Sequence, residues 1–196
     1  MKRFIQLILA GLACAVLFGC AHPITMNPDL GAVKAVTAPI DQRVALYIAE
    51  ASKSIEVTTS AGGGDKVRYF PYRDMEPGLY KALSDTFREV TMVRDLGGLD
   101  KLRTEGKALL ITPTITTQSS SESIVTWPPT QFTVELSCKV TDAAGKTIET
   151  VNVSGQGRAT FDEFKGNFSL AATRASTDAL TKLVKALGES ALLRSQ

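Results

Sequence analysis

Side chains able to do chemistry are few in this 196-residue chain, and their spacing excludes more than it offers. The cysteines stand at positions 14, 20 and 138, and His22 is the one histidine. Nucleophilic catalysis by serine or cysteine needs an imidazole within hydrogen-bond reach of the nucleophile. With the sole imidazole at residue 22, ahead of the patterned part of the chain, no such pair is expected on a downstream domain. Nitrogen–sulfur metal centres need clustered histidine and cysteine, which the chain lacks. Asp95, Asp100, Asp142, Asp162 and Glu163 are spread thinly. A calcium site or an acid–base pair would exist only if the fold gathered them, and a solvated surface is their ordinary fate. Gly145-Lys146-Thr147 ends like a phosphate-binding loop, yet the position of its first glycine is Val140. Gly62-Gly63-Gly64 and Gly155-Gln156-Gly157 lack the strand-then-helix context of a dinucleotide site. The expectation is a chain with no catalytic residue, no metal and no cofactor.

Two aromatic groups remain, Tyr69-Phe70-Pro71-Tyr72 and Trp127-Pro128-Pro129. Rings held beside prolines lose little entropy on binding, so Phe70, Tyr72 and Trp127 are candidate partner contacts. The competing reading has Phe70 and Trp127 packing inward to close the ends of the core. Cys138 lies in the middle of an alternating apolar row, Phe132, Val134, Leu136, Cys138 and Val140, and reads as a buried, unreactive thiol.

The elements that position these residues follow from periodicity. Val44, Leu46 and Ile48 alternate as a buried strand, and residues 55–69 read as two short strands about the glycine turn. A helix opens near Asp74, with Pro77 in its first turn and Leu79, Ala82, Leu83 and Phe87 on one face. Val90 and Met92 continue as a strand, and residues 99–104 form a brief helical turn. Residues 108–117 are strongly β-prone, with Pro113 implying an edge position or a bulge. A short strand is expected at 124–127, then the row containing Cys138, a turn at Asp142-Ala143-Ala144-Gly145 and a return strand with a bulge near Glu149. A long helix from 168 to 187 carries Ala172, Ala175, Ala179, Leu180, Leu183, Val184 and Leu187 as its apolar stripe. This order predicts an α+β fold: a single mixed or antiparallel sheet with two main helices packed on one face.

The N-terminus has its own logic. Lys2 and Arg3 precede roughly 16 uncharged residues, and the run ends Leu17-Phe18-Gly19-Cys20. That is short against the about 20 residues needed to span a bilayer as a helix. The segment resembles the lipobox of bacterial lipoproteins: an aliphatic residue, Leu17, three before the cut, small Gly19 just before it, then Cys20, with Phe18 where a smaller side chain is usual. The resemblance implies cleavage between Gly19 and Cys20, lipid on Cys20, and attachment to the membrane through that lipid. Ala21, in place of the aspartate that marks inner-membrane retention, implies the outer membrane, facing the periplasm. Removing Lys2 and Arg3 lowers the basic count from 22 to 20 against 20 acidic residues, so the mature chain is neutral. Neutrality gives no electrostatic reason to expect nucleic acid. The expected organisation is a signal peptide at 1–19, a lipidated cysteine with an extended tether at 20–41, rich in proline and glycine, and one globular domain at 42–196.

The layout from Phe132 to Val140, through Ser154-Gly155-Gln156-Gly157 to a closing helix with Ala175, Asp178, Ala179, Leu180 and Leu183, is similar to small Gram-negative envelope lipoproteins of the YajG, LPS-assembly and TolB-N-like kind. It implies a non-enzymatic accessory or assembly factor that binds another periplasmic or outer-membrane component. The alternative is a periplasmic module holding a lipid or cell-wall fragment between sheet and helices.

Overall fold

The computed structural model describes residues 21–35, 37–60, 66–95, 97–98, 108–121 and 130–195. In chain order its elements are β1 (Ala21–Pro23), β2 (Ile40–Tyr47), α1 (Glu50–Lys53), β3 (Val57–Ser60), β4 (Lys66–Tyr69), α2 (Pro71–Thr86), β5 (Phe87–Val93), β6 (Ala108–Ser120), β7 (Gln131–Thr141), β8 (Thr147–Arg158), α3 (Phe161–Gly166), α4 (Leu170–Gly188) and α5 (Ala191–Arg194).

The strand with the strictest alternation is at the heart of a five-stranded mixed sheet, ordered β5-β2-β6-β7-β8. β7 pairs antiparallel with β6 on one side and β8 on the other, and its apolar row, Phe132 to Val140, is buried throughout. β2 pairs parallel with both β5 and β6. Val44, Ala45 and Leu46 are all buried, as a strand covered on both faces requires. The turn after β7 places Gly145 at φ 84°, and the register slips between Val140↔Glu149 and Thr141↔Thr147, which sets the bulge at the start of β8. Pro113 lies two residues beyond the last β2 pair, Leu46↔Ile111, where β6 has a neighbour on one side only.

Helices α2 and α4 pack on each other; α4 covers β7 and β8, and α2 lies against β5. α4 meets β8 at Gly155 and Gly157. A Cβ on Gly155 would lie 2.2 Å from the Ala175 carbonyl oxygen, and one on Gly157 would lie 2.0 Å from that of Ala171. The two glycines and the alanine stripe therefore form one device: side chains are deleted on both surfaces so that helix and strand backbones touch.

Two expectations need correction. The fold is not a single sheet with two helices. A second, three-stranded sheet, ordered β1-β4-β3, stands beside the first, and five helices occur among the described residues. β3 and β4 pair antiparallel as expected, with the glycine turn between them outside the described residues, but both edges of β2 are already taken by β5 and β6, so the pair recruits β1 instead, parallel to β4. Tyr69 joins the sheets: its ring meets Phe132 edge-on at 5.2 Å, and its hydroxyl shares a hydrogen bond of 2.8 Å with Thr117 Oγ1. α2 also begins earlier than expected, at Pro71, which leaves Pro77 inside the helix.

The second correction concerns the extended tether expected at 20–41. Its described residues, 21–35 and 37–41, are part of the packed fold. Ile24, Met26, Val33 and Ile40 are buried in the core. Ile24 N–H donates to the Arg68 carbonyl (3.0 Å), Thr25 N–H to Ser169 Oγ (3.0 Å), Met26 N–H to Asp74 Oδ2 (3.2 Å) and Asp29 N–H to Thr177 Oγ1 (2.9 Å). Pro28 is seated in the notch left by Gly78, where a Cβ would come within 2.4 Å of the proline ring. At the far end of the chain, Arg194 Nη2 donates to Thr37 Oγ1 (3.0 Å) and to the Ala38 carbonyl (3.1 Å).

Candidate functional site

Gly19, Cys20 and Trp127 lie outside the described residues, as do the helical turn expected at 99–104 and the strand at 124–127. The other aromatic candidates are held close to the fold. Phe70 is half-buried at the start of α2 beneath the Arg73 guanidinium, 3.8 Å from the ring centre. Tyr72 is half-buried too, and its hydroxyl accepts from Ile115 N–H (3.3 Å) on the stretch of β6 that β2 does not reach. Both rings thus have structural tasks, and each keeps part of its surface in water.

Cys138 is fully buried, and burial pushes its thiol up to about 12. Asp95 and Asp142 each serve their own turns, accepting from Gly98 N–H (2.7 Å) and Lys146 N–H (2.9 Å). Glu163 closes a capping box with Thr160 and takes a two-point contact from Arg174 (2.9 and 3.1 Å). That guanidinium, with the Thr160 N–H, lowers its carboxyl to about 2. Among the described residues no three of His, Cys, Asp and Glu come together as metal ligands.

Two surfaces were not anticipated from sequence. The first surrounds the point where the described chain begins. His22, on β1, stacks on Phe168 with ring centres 5.4 Å apart, and Phe168 in turn meets Phe164 at 4.9 Å. Phe164 is buried, while Phe168 is 43% and Phe161 56% exposed. Lys66 and Arg68 on β4 pair with Ala21 and Pro23 and point to solvent. The available signal was the spacing Phe161, Phe164, Phe168 directly after the Thr160-x-x-Glu163 box; its meaning depends on β1, which three residues of Ala-His-Pro do not announce.

The second surface is the face of the large sheet turned away from α2 and α4. Thr114, Thr116, Glu135, Ser137, Asn152 and Ser154 line an open depression of about 430 Å³ there. Cross-strand pairing assembles it: Thr116↔Glu135↔Ser154 and Thr114↔Ser137↔Asn152 form two rungs. Hydroxyl, amide and carboxylate groups share the lining with Leu136 and Val153, and none of the lining residues is a histidine or a cysteine.

No family model and no curated protein sequence matches the chain. Among solved structures, a Xanthomonas campestris protein of family DUF330 matches at 15% identity and TM-score 0.47, covering 91% of this chain and 96% of its own. The PelC dodecamer from Paraburkholderia phytofirmans matches at 9% identity and TM-score 0.48, with 80% and 94% covered. A minor lipoprotein from Acinetobacter baumannii matches at 10% identity and TM-score 0.43, with 75% and 92% covered. No helix among the described residues is long and apolar enough to cross a membrane.

Proposed function

We propose that this chain is a non-enzymatic lipoprotein of the bacterial envelope, cut between Gly19 and Cys20 and acylated on Cys20. It sits at the outer membrane and acts by presenting its domain to another periplasmic or outer-membrane component. The observation that carries the reading is the join between signal and fold. The uncharged run ends at Cys20, and the next residue, Ala21, already pairs with Lys66 in a sheet. A signal that ends one residue before a paired strand fits cleavage at the Gly19–Cys20 bond.

The partner reading gains support over the ligand-binding alternative from how the space between sheet and helices is used. Leu79, Leu83, Val134, Leu136, Leu180, Leu183 and Leu187 are all buried there. At Gly155 and Gly157 the helix backbone rests directly on the strand. Side chains packed this closely among the described residues favour a filled core over a lipid-binding groove. The depression on the opposite sheet face is a surface open to a protein partner.

Radiolabelled palmitate tests the anchor: the native chain takes up label, and Cys20→Ala does not. Continued labelling of Cys20→Ala overturns it. For the partner, a photocrosslinking residue at Ser137 or Asn152 in cells should capture one envelope protein that the same residue at Lys146 does not. An identical pattern from all three positions removes the sheet face from the argument.

A further inference from the structure

We infer that the surface formed by His22, Phe168, Lys66 and Arg68, with Phe161 beside it, docks against the headgroup layer of the membrane that holds the acyl chains. The inference rests on the lipid anchor proposed above, and it follows from the absence of slack in the chain. Neighbouring Cα atoms are about 3.8 Å apart, so an acylated Cys20 is one peptide unit from a residue paired in a sheet. Whatever lies around Ala21 is held at the bilayer surface.

What lies there has the chemistry of that layer. Phe168 and Phe161 are among the few large apolar side chains left open among the described residues, and phenylalanine beside basic residues is the pairing that interfacial segments bury at the headgroup–acyl boundary. Lys66 and Arg68 flank Ala21 and Pro23 on the neighbouring strand, and neither makes an ion pair among the described residues. Nearby charges on the helical side are already matched, Lys165 with Asp162 (2.7 Å) and Arg174 with Glu163 (2.9 Å). Among the described residues the unmatched charge on β4 beside the anchor is therefore positive, which suits anionic phospholipid. The same contact sets the orientation. The Arg158 end of β8 leads into α3 and the Phe168 surface, and the Asp142–Gly145 turn is at the other end of strands 11 and 12 residues long. At about 3.4 Å per residue that turn stands roughly 35 Å from the membrane end.

The experiment uses the full acylated chain in vesicles of phosphatidylethanolamine with a minority of phosphatidylglycerol. A fluorophore is attached at Gly166→Cys, where an added Cβ meets nothing within 4 Å, or at Lys146→Cys beside the distant turn. A headgroup-nitroxide phospholipid should quench the label at position 166 about threefold more strongly than the label at 146. Combining Phe168→Ser with Lys66→Glu and Arg68→Glu should abolish the difference while the protein still floats with the vesicles. Unreactive Cys138 in the variant confirms that it is folded. Equal quenching at both positions in an acylated, floating protein overturns the docked orientation and leaves the anchor intact. Absence of palmitate and of flotation overturns both.

Discussion

Cys138 and Glu163 show how the same fold pushes two titratable groups in opposite directions. The thiol lies within a row of buried apolar residues, so its ionised form has lost its water. It should resist a maleimide reagent at pH 8 in the folded protein and react only at the rate of unfolding; rapid native labelling would contradict the burial. Glu163 is exposed, but its charge is stabilised by Arg174 and by the first turn of α3. Its carboxyl is lowered from an ordinary 4.5 to about 2, so the stabilisation it gives is complete above about pH 4.5 and is lost as pH falls through about 2. Carbon-detected NMR titration of the Glu163 carboxyl should place its midpoint near 2, and Arg174→Ala should bring it back towards 4.5. An unchanged midpoint in that variant would remove Arg174 as the cause.

Among the elements, the α4–β8 contact is the least forgiving. Gly155 and Gly157 look out at the Ala175 and Ala171 carbonyls with no space for a methyl group. Each glycine-to-alanine change should cost about 1–3 kcal/mol in urea denaturation, by forcing two backbones apart. The pair Gly155→Ala and Gly157→Ala should not be additive, because the first displacement makes room for the second. Substitution at Gly166, open to solvent, is the matched control. The outer edge of β8 is closed by the same helix: Gln156 N–H donates to Asp178 (2.9 Å), Lys182 Nζ to the Ser154 carbonyl (2.8 Å) and Arg174 to the Arg158 carbonyl (2.6 Å). A long edge strand that would invite another chain is thus occupied from within. The Gly-x-Gly motif that fails as a nucleotide loop finds its physical reason here, in close packing.

For the molecule as a whole, the decisive element is the segment from 21 to 40. Met26→Ala should lower stability by about 2–5 kcal/mol, the cost of an emptied core site, whereas a residue in a free linker would cost almost nothing. A midpoint in urea identical to that of the native chain would restore the tether. The contrast explains what could be read from sequence. β7 and α4 carry their own periodicity because each buries one face, and β2 is legible as an apolar run because both its faces are covered. Ile24, Met26 and Val33 have no period, since their burial is decided one residue at a time by β4, α2 and α4, and Pro28 and Gly31 between them look like linker chemistry. The second sheet was missed for the same reason: its third strand is three residues long and earns its place from β4 alone. Of the candidate residues, Phe70 and Tyr72 were visible as aromatics beside a proline, but their dual role needed Arg73 and Ile115 to be brought near.

The stitching of residues 24 to 29 also has a mechanical meaning. If the chain is held at Cys20 and a partner pulls on the domain, the force enters at β1 and passes at once into three structures: β4 through Arg68, α2 through Asp74, and α4 through Ser169 and Thr177. Load shared over parallel routes does not peel one bond at a time. The attachment should therefore yield as a unit, at forces comparable to those that open the core, and a pull from the membrane would be felt at the helix that braces the far edge of the sheet.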